Sequence, residues 1–348
     1  MAVKNRNATM QDVAALAGVS MMTVSRVLAD ERKVRQVTQD KVQAAILQLN
    51  YKPNMSARSL ASSRSRLLAF LYQNSSEGYV GQLLIGALKQ CQACGYNLVV
   101  GSLDGKEEDF AKVLNGLLER NNIGGIILPP PLSDSTTVLD FLASIDIPVI
   151  KISPQKTQHG FSYVCMDESK AAFEMTEYLI KQGHTKIAFI KGPADHSGSH
   201  LRYQGFVKAL EKHGLALPEN YIEKGLFTYR SGFEAAEILL AQKDRPTAIF
   251  SCNDDMAAAT LSVAQKCNLS VPDQLSVVGF DDAAIATSIW PPLTTVRQPI
   301  LSMAEKAIDI LIRQLEAKNT EADEEMPQKN VLDFDLVMRG TVLPPSAM

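Results

Sequence analysis

The chain has 348 residues, of which 46% are apolar and 21% charged, a balance that excludes a disordered protein and predicts two or three domains. No apolar run approaches the roughly 20 residues that span a bilayer, and the N-terminus lacks the apolar stretch of a secretory signal, so a membrane or exported protein is not expected. Five cysteines, an odd number without such a signal, predict a protein of the reducing cytoplasm.

Charge is distributed unevenly along the chain. Residues 1–66 contain eleven Lys or Arg against four Asp or Glu, a net charge of +7, whereas the rest of the chain carries a net charge of −10. A basic head on an acidic body predicts a module that binds a polyanion, joined to a part with a different task. The alternative, a solvated basic tail, would lack the helical periodicity that this head has.

Three short helices are predicted in the head. Thr9 can cap the first helix, and Gly18 can end it because glycine tolerates positive φ. Ser20 can cap the second helix and Thr38 the third. The expected inward residues are Val13, Ala14, Leu16 and Ala17 in the first helix, Val24, Val27 and Leu28 in the second, and Val42, Ala45, Ile46 and Leu49 in the third. Two short helices joined by a tight glycine-containing turn are the helix-turn-helix pattern.

The second helix has an outward face suited to DNA, because in helix-turn-helix proteins the N-terminal part of this helix enters the major groove. Arg26 could donate two hydrogen bonds to a guanine, and Met21 and Met22 could touch a thymine methyl or another apolar base edge. Thr23 and Ser25 could bind phosphate. An ordinary small helical bundle with an exposed arginine is the alternative, but the charge, the turn and the polar outer face together favour DNA binding.

A further short helix and a linker are predicted at 53–66. Pro53 ends what precedes it, and Asn54 can cap a helix whose Ala57 and Leu60 share one face. A helix of about eight residues is marginal alone in water. It should therefore form only with a partner, such as DNA or the same helix of a second copy.

These motifs resemble a known family. MQDVAALAGVSMMTVSRVL at 10–28, YKPN at 51–54 and ARSL at 57–60 resemble the lactose-repressor (LacI/GalR) family of bacterial transcriptional regulators. The resemblance implies a homodimer on a palindromic double-stranded operator, with paired hinge helices in the minor groove at its centre. It implies that Leu60 wedges a base step there, which costs a few kcal/mol of unstacking, and that Asn54, Ala57 and Arg58 also contact DNA.

From residue 67 onward, short apolar runs alternate with amphipathic stretches, which predicts α/β architecture with parallel sheets covered by helices. A body of this size exceeds a single core, so two lobes are expected. The apolar runs are 67–72, 98–100, 125–128, 149–152, 187–190, 248–252 and 275–280, and the amphipathic stretches are 82–94, 109–120, 170–182, 202–213, 231–241, 255–267 and 300–316.

The resemblance covers essentially the whole chain and implies a periplasmic-binding-protein-like body that binds an effector and dimerises. The implied domains are a helix-turn-helix head at 1–52, a hinge at 53–66 and the body at 67–348. Lobe one would hold about 67–163 and 298–326, and lobe two about 167–294 and 330–343, so that the chain crosses between the lobes three times.

Candidate effector contacts are polar or aromatic side chains near the carboxyl ends of the apolar runs, where ligands of parallel sheets bind. The resemblance implies that Arg202, Asn253, Asp281 and Gln298 bond the effector and that Phe227 offers it an aromatic ring. Asp254 is expected instead to cap the following helix. Polar and aromatic groups together suit a sugar, and the further candidates are Asn74, Asp167, Tyr72, Tyr79 and Trp290.

No cofactor, metal site or catalytic constellation is predicted. Cys91 and Cys94 lie within an apparent helix without the further ligands that structural zinc needs. The resemblance, together with polar and aromatic candidates that suit a sugar, implies a repressor of carbohydrate-utilisation genes, controlled by a small sugar-like effector between two lobes and released from DNA by it. The alternative is a cytoplasmic sugar-binding protein or α/β enzyme with an incidental helical head.

Overall fold

The computed structural model describes residues 8–28, 34–51, 65–73, 76–103, 107–155, 160–319 and 326–345. The chain divides into two compact units, Met1–Arg64 and Ser65–Met348. Five residues predicted to contact DNA or effector lie outside the described residues: Asn54, Ala57, Arg58, Leu60 and Asn74.

The head contains helices α1 (Met10–Ala17), α2 (Met21–Leu28) and α3 (Gln36–Gln48). Thr9 and Asp12 form a capping box at the start of α1, in which the Thr9 amide donates to the Asp12 carboxylate at 2.8 Å and the Asp12 amide donates to the Thr9 hydroxyl at 3.3 Å. Gly18 ends α1 with φ 66°, and Ser20 accepts a hydrogen bond from the amide of Thr23 at 3.1 Å. The sequence signals for both ends of the turn are confirmed.

Two local predictions for the head are wrong. Helix α3 begins at Gln36, three residues before the start expected from a cap at Thr38, and its N-cap Arg35 makes no side-chain capping bond. Leu16 is 46% exposed, although it was expected to face inward. Val13 and Ala14 are the residues of α1 that the core buries, with Ala17 packed against it. Leu16 lies about 110° round the helix from the middle of that stripe, which explains its exposure.

The described part of the body has strands β1 (Leu67–Tyr72), β2 (Asn97–Ser102), β3 (Gly125–Leu128), β4 (Val149–Ile152), β5 (Ser162–Met166), β6 (Ile187–Lys191), β7 (Ile222–Lys224), β8 (Ala248–Ser251), β9 (Ser276–Asp281), β10 (Thr294–Arg297), β11 (Lys329–Leu332) and β12 (Asp335–Val337). Its helices are α4 (Glu77–Ala93), α5 (Glu107–Arg120), α6 (Thr136–Ala143), α7 (Glu168–Lys181), α8 (Ser197–Lys212), α9 (Tyr229–Leu240), α10 (Asp254–Lys266), α11 (Ile285–Ser288) and α12 (Ile300–Asn319).

Two six-stranded sheets form the two lobes. The first has the strand order β11-β5-β4-β3-β1-β2 and is parallel throughout. The second has the order β12-β10-β9-β8-β6-β7 and is parallel except at its edge, where β12 pairs antiparallel with β10. The predicted α/β architecture is confirmed, and the buried central strands are the apolar runs seen in the sequence.

The chain passes between the sheets after β5, after β10 and after β11. One lobe boundary needs correction. Strand β11 pairs with β5 in the first sheet, so residues 330–332 belong to lobe one and not to lobe two. This short edge strand alternates exposed and half-buried positions, and nothing in its own pattern says which sheet it joins.

Helix α12 returns from lobe two to fill the core of lobe one, where Met303, Ala307, Ile308 and Leu311 are fully buried. It packs closely on α4, because a Cβ at Gly86 would lie 2.7 Å from the carbonyl oxygen of Leu301. Among the described helices, none combines the length and the apolar character needed to cross a membrane.

Candidate functional site

Helix α2 exposes the predicted DNA-binding face. Met21 and Met22 are 52% and 66% exposed, Ser25 and Arg26 are exposed, and Val24 and Val27 are buried in the head. This face thus presents two adjacent apolar side chains together with a hydroxyl and a guanidinium group. The Thr23 hydroxyl lies 2.9 Å from that of Ser20, so it takes part in the cap of α2.

A second candidate site lies in the body, between the two sheets. Its inner cavity is lined by Ser76 and Tyr79 of lobe one and by five residues of lobe two, Glu168, His196, Arg202, Phe227 and Asp281. Glu168 begins the helix after the first crossing, and Asp281 ends strand β9. Each lobe therefore contributes side chains to one enclosed space.

Arg202 makes most of the polar contacts in the inner cavity and is only 3% exposed. Its Nε donates to Glu168 at 2.6 Å, and one terminal nitrogen donates to the Cys252 carbonyl at 2.5 Å and lies 3.5 Å from Asp281. Its guanidinium also lies over the Phe280 ring, 3.8 Å from the centroid. Burial opposes the charge, but Glu168 and Asp281 outweigh it and raise the pKa of Arg202 above its ordinary value. The arginine is therefore charged and already neutralised by the protein.

Asp281 is positioned by its backbone and by a glutamine. Its φ is 113°, a conformation that costs free energy for a residue with a side chain and is tolerated at functional sites. Gln298, which follows the crossing strand β10, donates from Nε2 to the Asp281 carboxylate at 2.6 Å. Burial raises the pKa of Asp281 to about 7, and Arg202 only partly offsets this.

Phe227 forms a wall of the cavity. Asn253 donates to its carbonyl at 2.9 Å and fixes the backbone, which has φ 59°. The ring lies against the Cα of Gly192 so closely that a Cβ there would overlap it. His196 packs edge-on against the same ring with a centroid separation of 4.9 Å. The aromatic face predicted for Phe227 is thus present at the cavity.

Several polar atoms at the cavity have no hydrogen-bond partner among the described residues. They are the Tyr79 hydroxyl and His196 Nδ1, which belong to lining residues, and Gln298 Oε1, whose side chain is bonded to the lining residue Asp281. A buried polar group without a partner costs about 1–3 kcal/mol. Because two of them belong to residues that line one cavity, this cavity is the place where a polar ligand would complete such bonds.

The space between the lobes has a narrow inner part and a wide outer part. The inner cavity has a volume of about 10 Å³, room for about one water molecule. It opens past Ser76, His196 and Phe227 into an outer cleft of about 780 Å³. A ligand of sugar size would therefore enter the inner cavity only with the lobes further apart than they are here.

Other predicted contacts lie elsewhere. Asp167 is exposed and caps α7 by accepting from the amide of Lys170 at 2.9 Å, and it does not line the cavity. Tyr72 ends β1 half-buried, outside the lining. Trp290 is 89% exposed and lines a separate recess beside α10, so it cannot stack on a ligand in the cavity.

The expected cap of α10 is also wrong. Asn253 caps this helix through Oδ1, which accepts from the amide of Met256 at 3.0 Å, so both ends of its amide are already bonded within the protein. Asp254 instead accepts from Thr295 at 2.5 Å and from the amide of Ala283 at 2.7 Å. It ties α10 to the loop after Asp281.

The sequence analysis missed Glu168, Ser76 and His196 as cavity residues. Glu168 stands one position after the Asp167 that was chosen, and the phase of the helix decides which of the two faces inward. His196 lies in the segment leading to Arg202, six residues before it, where a contact was conceivable. No signal in the sequence marks Ser76. Among the described residues, no group of three or more His, Cys, Asp or Glu is placed to hold a metal ion.

His196 should make the folded protein sensitive to acid. Burial, followed by the nearby Arg202, lowers the pKa of His196 to about 3 from the ordinary 6.5. Below pH 6.5 the unfolded chain therefore binds a proton that the folded chain does not bind. The free energy of unfolding consequently decreases as the pH is lowered. At pH 5 this residue should cost about 2 kcal/mol relative to pH 8. His196→Gln should remove that part of the slope in urea unfolding measured across this range.

The exposed His200 on the same helix provides the matched control, and His200→Gln should keep the slope of the parent protein. Because the raised pKa of Asp281 acts in the opposite direction, stabilising the fold as pH falls through 7, only differences between variant and parent are compared. Equal slopes for parent and His196→Gln would refute the buried neutral histidine.

Two family models match the chain. The model described as bacterial regulatory proteins, lacI family, matches residues 9–54, and the model of a periplasmic binding protein-like domain matches residues 176–342. The first covers the described head, and the second covers most of lobe two.

Relatives and solved structures match nearly the full length. The ribose operon repressor of Escherichia coli strain K12 is 35% identical over 310 residues, which are 88% of this chain and 93% of the relative. The HTH-type transcriptional repressor PurR of Photobacterium profundum is 34% identical over 318 residues, which are 90% of this chain and 94% of the relative. The Lac repressor dimer bound to operator and an anti-inducer superimposes with a TM-score of 0.83 at 27% identity, covering 97% of this chain and 100% of that one. The structure of the regulator CelR in complex with cellobiose superimposes with a TM-score of 0.73 at 28% identity, covering 96% of this chain and 99% of that one.

Proposed function

Because the chain belongs to the lacI family of bacterial regulatory proteins, we propose that it represses genes of carbohydrate use and that a small uncharged sugar, bound between its lobes, releases it from operator DNA. The chain is a DNA-binding transcriptional regulator, not an enzyme, and works as a homodimer. It acts in the cytoplasm, where the operator lies. The effector assignment rests above all on the unpartnered polar atoms that converge on the inner cavity.

Charge favours an uncharged effector. Glu168 neutralises Arg202 at 2.6 Å, and the nearby Asp281 adds further negative charge whenever it ionises. The lowered pKa of His196 keeps that ring neutral at physiological pH. A phosphorylated sugar would bring two more negative charges into this enclosed space without a free cation to meet them. Hydroxyl groups, in contrast, can both donate and accept and can satisfy Tyr79, His196 and Gln298 together.

The DNA contacts proposed for α2 are those that the sequence predicted. Arg26 recognises a guanine, Met21 and Met22 touch apolar base edges, and Ser25 and Thr23 bond phosphate. Asn54, Ala57, Arg58 and Leu60 complete the interface at the hinge. These assignments follow the exposed face of the helix and the family motif.

Effector binding can change the affinity for DNA through the segments that cross between the lobes. Glu168 and Gln298 each stand at a crossing and belong to the network of the inner cavity. A ligand that joins Tyr79 of lobe one to Asp281 of lobe two would set the angle between the lobes. We expect this angle to control how closely the two hinge segments of a dimer approach, an order–disorder switch biased by distant binding.

A thermal-shift screen followed by gel shifts tests this function. The full-length protein is screened against neutral sugars, sugar phosphates and nucleobases, and then against DNA from upstream of its own gene. A neutral sugar should raise the melting temperature and lower operator affinity about 5–150-fold, and operator DNA should lower sugar affinity by the same factor.

Asp281→Asn is the matched control, since it should bind operator as the parent does and no longer respond to the sugar. The proposed effector class is wrong if only sugar phosphates or only nucleobases shift the melting temperature. The proposed repression is wrong if the ligand strengthens operator binding or if the upstream DNA is not bound specifically.

A further inference from the structure

A second cavity of about 370 Å³ lies in lobe two, separate from the effector cavity. It is formed by the segments that follow β6 and β7 and by the start of α8, with Lys191, Lys224, Tyr203, Ser199 and His200 among its lining. Gly192 contributes to its wall, and the Phe227 ring packed on Gly192 faces the effector cavity. The two cavities thus lie on opposite sides of one contact.

Two lysines give this cavity its chemical character. Lys191 and Lys224 are register partners at the ends of the parallel strands β6 and β7, so their side chains start from neighbouring positions. In the part of the chain that the structure describes, neither ammonium forms an ion pair with a carboxylate within 4.0 Å. The Lys191 ammonium instead lies 3.5 Å from the centroid of the Tyr203 ring.

Several other lysines of the same lobe form ion pairs with carboxylates. Lys186, Lys212 and Lys266 pair with Asp244, Glu177 and Glu237 at 2.5, 2.8 and 2.6 Å. In an acidic body, two adjacent lysines that lack such carboxylates and line a cavity stand out. Burial, and next the charge of Lys224, lower the pKa of Lys191, which shows that the two charges repel each other.

The start of helix α8 adds to the positive potential of this cavity. Ser199 and His200 belong to the first turn of the helix, where the helix dipole favours an anion, although the His200 amide itself donates to the His196 carbonyl at 3.4 Å. Lysine ammonium groups, a serine hydroxyl and a helix N-terminus together form a donor set for a phosphate. The Tyr203 ring adds an apolar wall beside them.

We propose that the cavity between Lys191, Lys224 and the first turn of α8 is a phosphate site, occupied by inorganic phosphate or by the phosphoryl group of a small metabolite. A phosphate would bridge the two ammonium groups and relieve their repulsion. The site shares no lining residue with the inner cavity and borders the outer cleft at Pro193 and Leu226, so a charged ligand and a neutral sugar could be bound at the same time.

Phosphorus NMR of the full-length protein tests the site. Inorganic phosphate and glycerol 3-phosphate are titrated, with glycerol followed by proton NMR as the uncharged match. We expect saturable line broadening for the phosphates and none for glycerol. The double variant Lys191→Gln/Lys224→Gln should weaken phosphate binding at least tenfold, because two charge-assisted hydrogen bonds are lost.

The double variant Lys186→Gln/Lys266→Gln is the matched control, since it removes two paired lysines of the same lobe and should leave phosphate binding unchanged. Lys224→Glu, at an exposed position, provides a second test should the double variant fold poorly, and it should abolish the broadening. Tighter binding of inorganic phosphate identifies the free ion as the ligand, and tighter binding of the ester identifies a metabolite. The proposal is overturned if neither phosphate saturates, or if the control variant loses as much affinity as the test variants.

Discussion

Replacing Arg202 with alanine is expected to destabilise the body by about 3–5 kcal/mol and to abolish effector binding at the same time, because it leaves buried carboxylates without their cation. Glu168 would lose its 2.6 Å ion pair in a setting where it is 4% exposed, and Asp281 would lose the only cation placed near it in the described network. The Cys252 carbonyl would also lose its donor. Urea unfolding of the fragment 65–348, with and without the Arg202→Ala substitution, measures the difference in the free energy of unfolding.

A double variant that removes both charges of the ion pair separates the effect on folding from the effect on binding. In Arg202→Met/Glu168→Gln both members of the ion pair are removed, and most of the lost stability should return while effector binding stays absent. If Arg202→Ala unfolds at the same urea concentration as the parent, the carboxylates are not dependent on the arginine. The arginine would then serve the ligand rather than the fold.

Replacing Arg26 with alanine is expected to weaken operator binding by about 1–3 kcal/mol, or roughly 5–150-fold, and to relax the preference at one base pair in each half-site. The reason is geometric, since a guanidinium can donate two parallel hydrogen bonds to guanine and no other part of the exposed face of α2 can. Gel shifts on operator variants mutated at single base pairs measure both effects.

Arg26→Lys provides the control, because lysine keeps the charge but not the paired donors. It should retain binding to random DNA and its salt dependence while losing the base preference. Equal losses on operator and random DNA for Arg26→Ala would make this residue a phosphate contact, and base recognition would then have to come from Met21, Met22 or the hinge.

The head was predictable where its signals are local. Thr9 with Asp12, Gly18 and Ser20 each act within a few residues of themselves, so the ends of α1 and the start of α2 follow from the sequence. The start of α3 does not, because Arg35 caps it without a side-chain bond and leaves no chemical mark. Thr38 was the nearest residue with a capping side chain, so the predicted cap lies three positions after the true one, Arg35.

The cavity was predictable only in part, because its members come from distant segments. Arg202, Asp281 and Gln298 were identified through the family pattern, and the structure brings them within hydrogen-bond distance of one another or nearly so. Glu168 escaped because it stands beside Asp167, and only the helix phase separates a cap from an inward carboxylate. Local sequence patterns could not predict which sheet β11 joins, because this is decided by its pairing with β5, more than 160 residues earlier in the chain.

The return of α12 to lobe one bears on the order in which the protein can be made. Residues of lobe one leave the ribosome before those of lobe two, yet the helix that fills their core emerges only after strands β6 to β10 of lobe two. While these strands of lobe two are being synthesised, the apolar faces of β3, β4 and β5 that α12 will cover stay without that cover. Lobe one therefore stays incomplete while β6 to β10 are made, and the nascent chain offers chaperones a binding surface for that time.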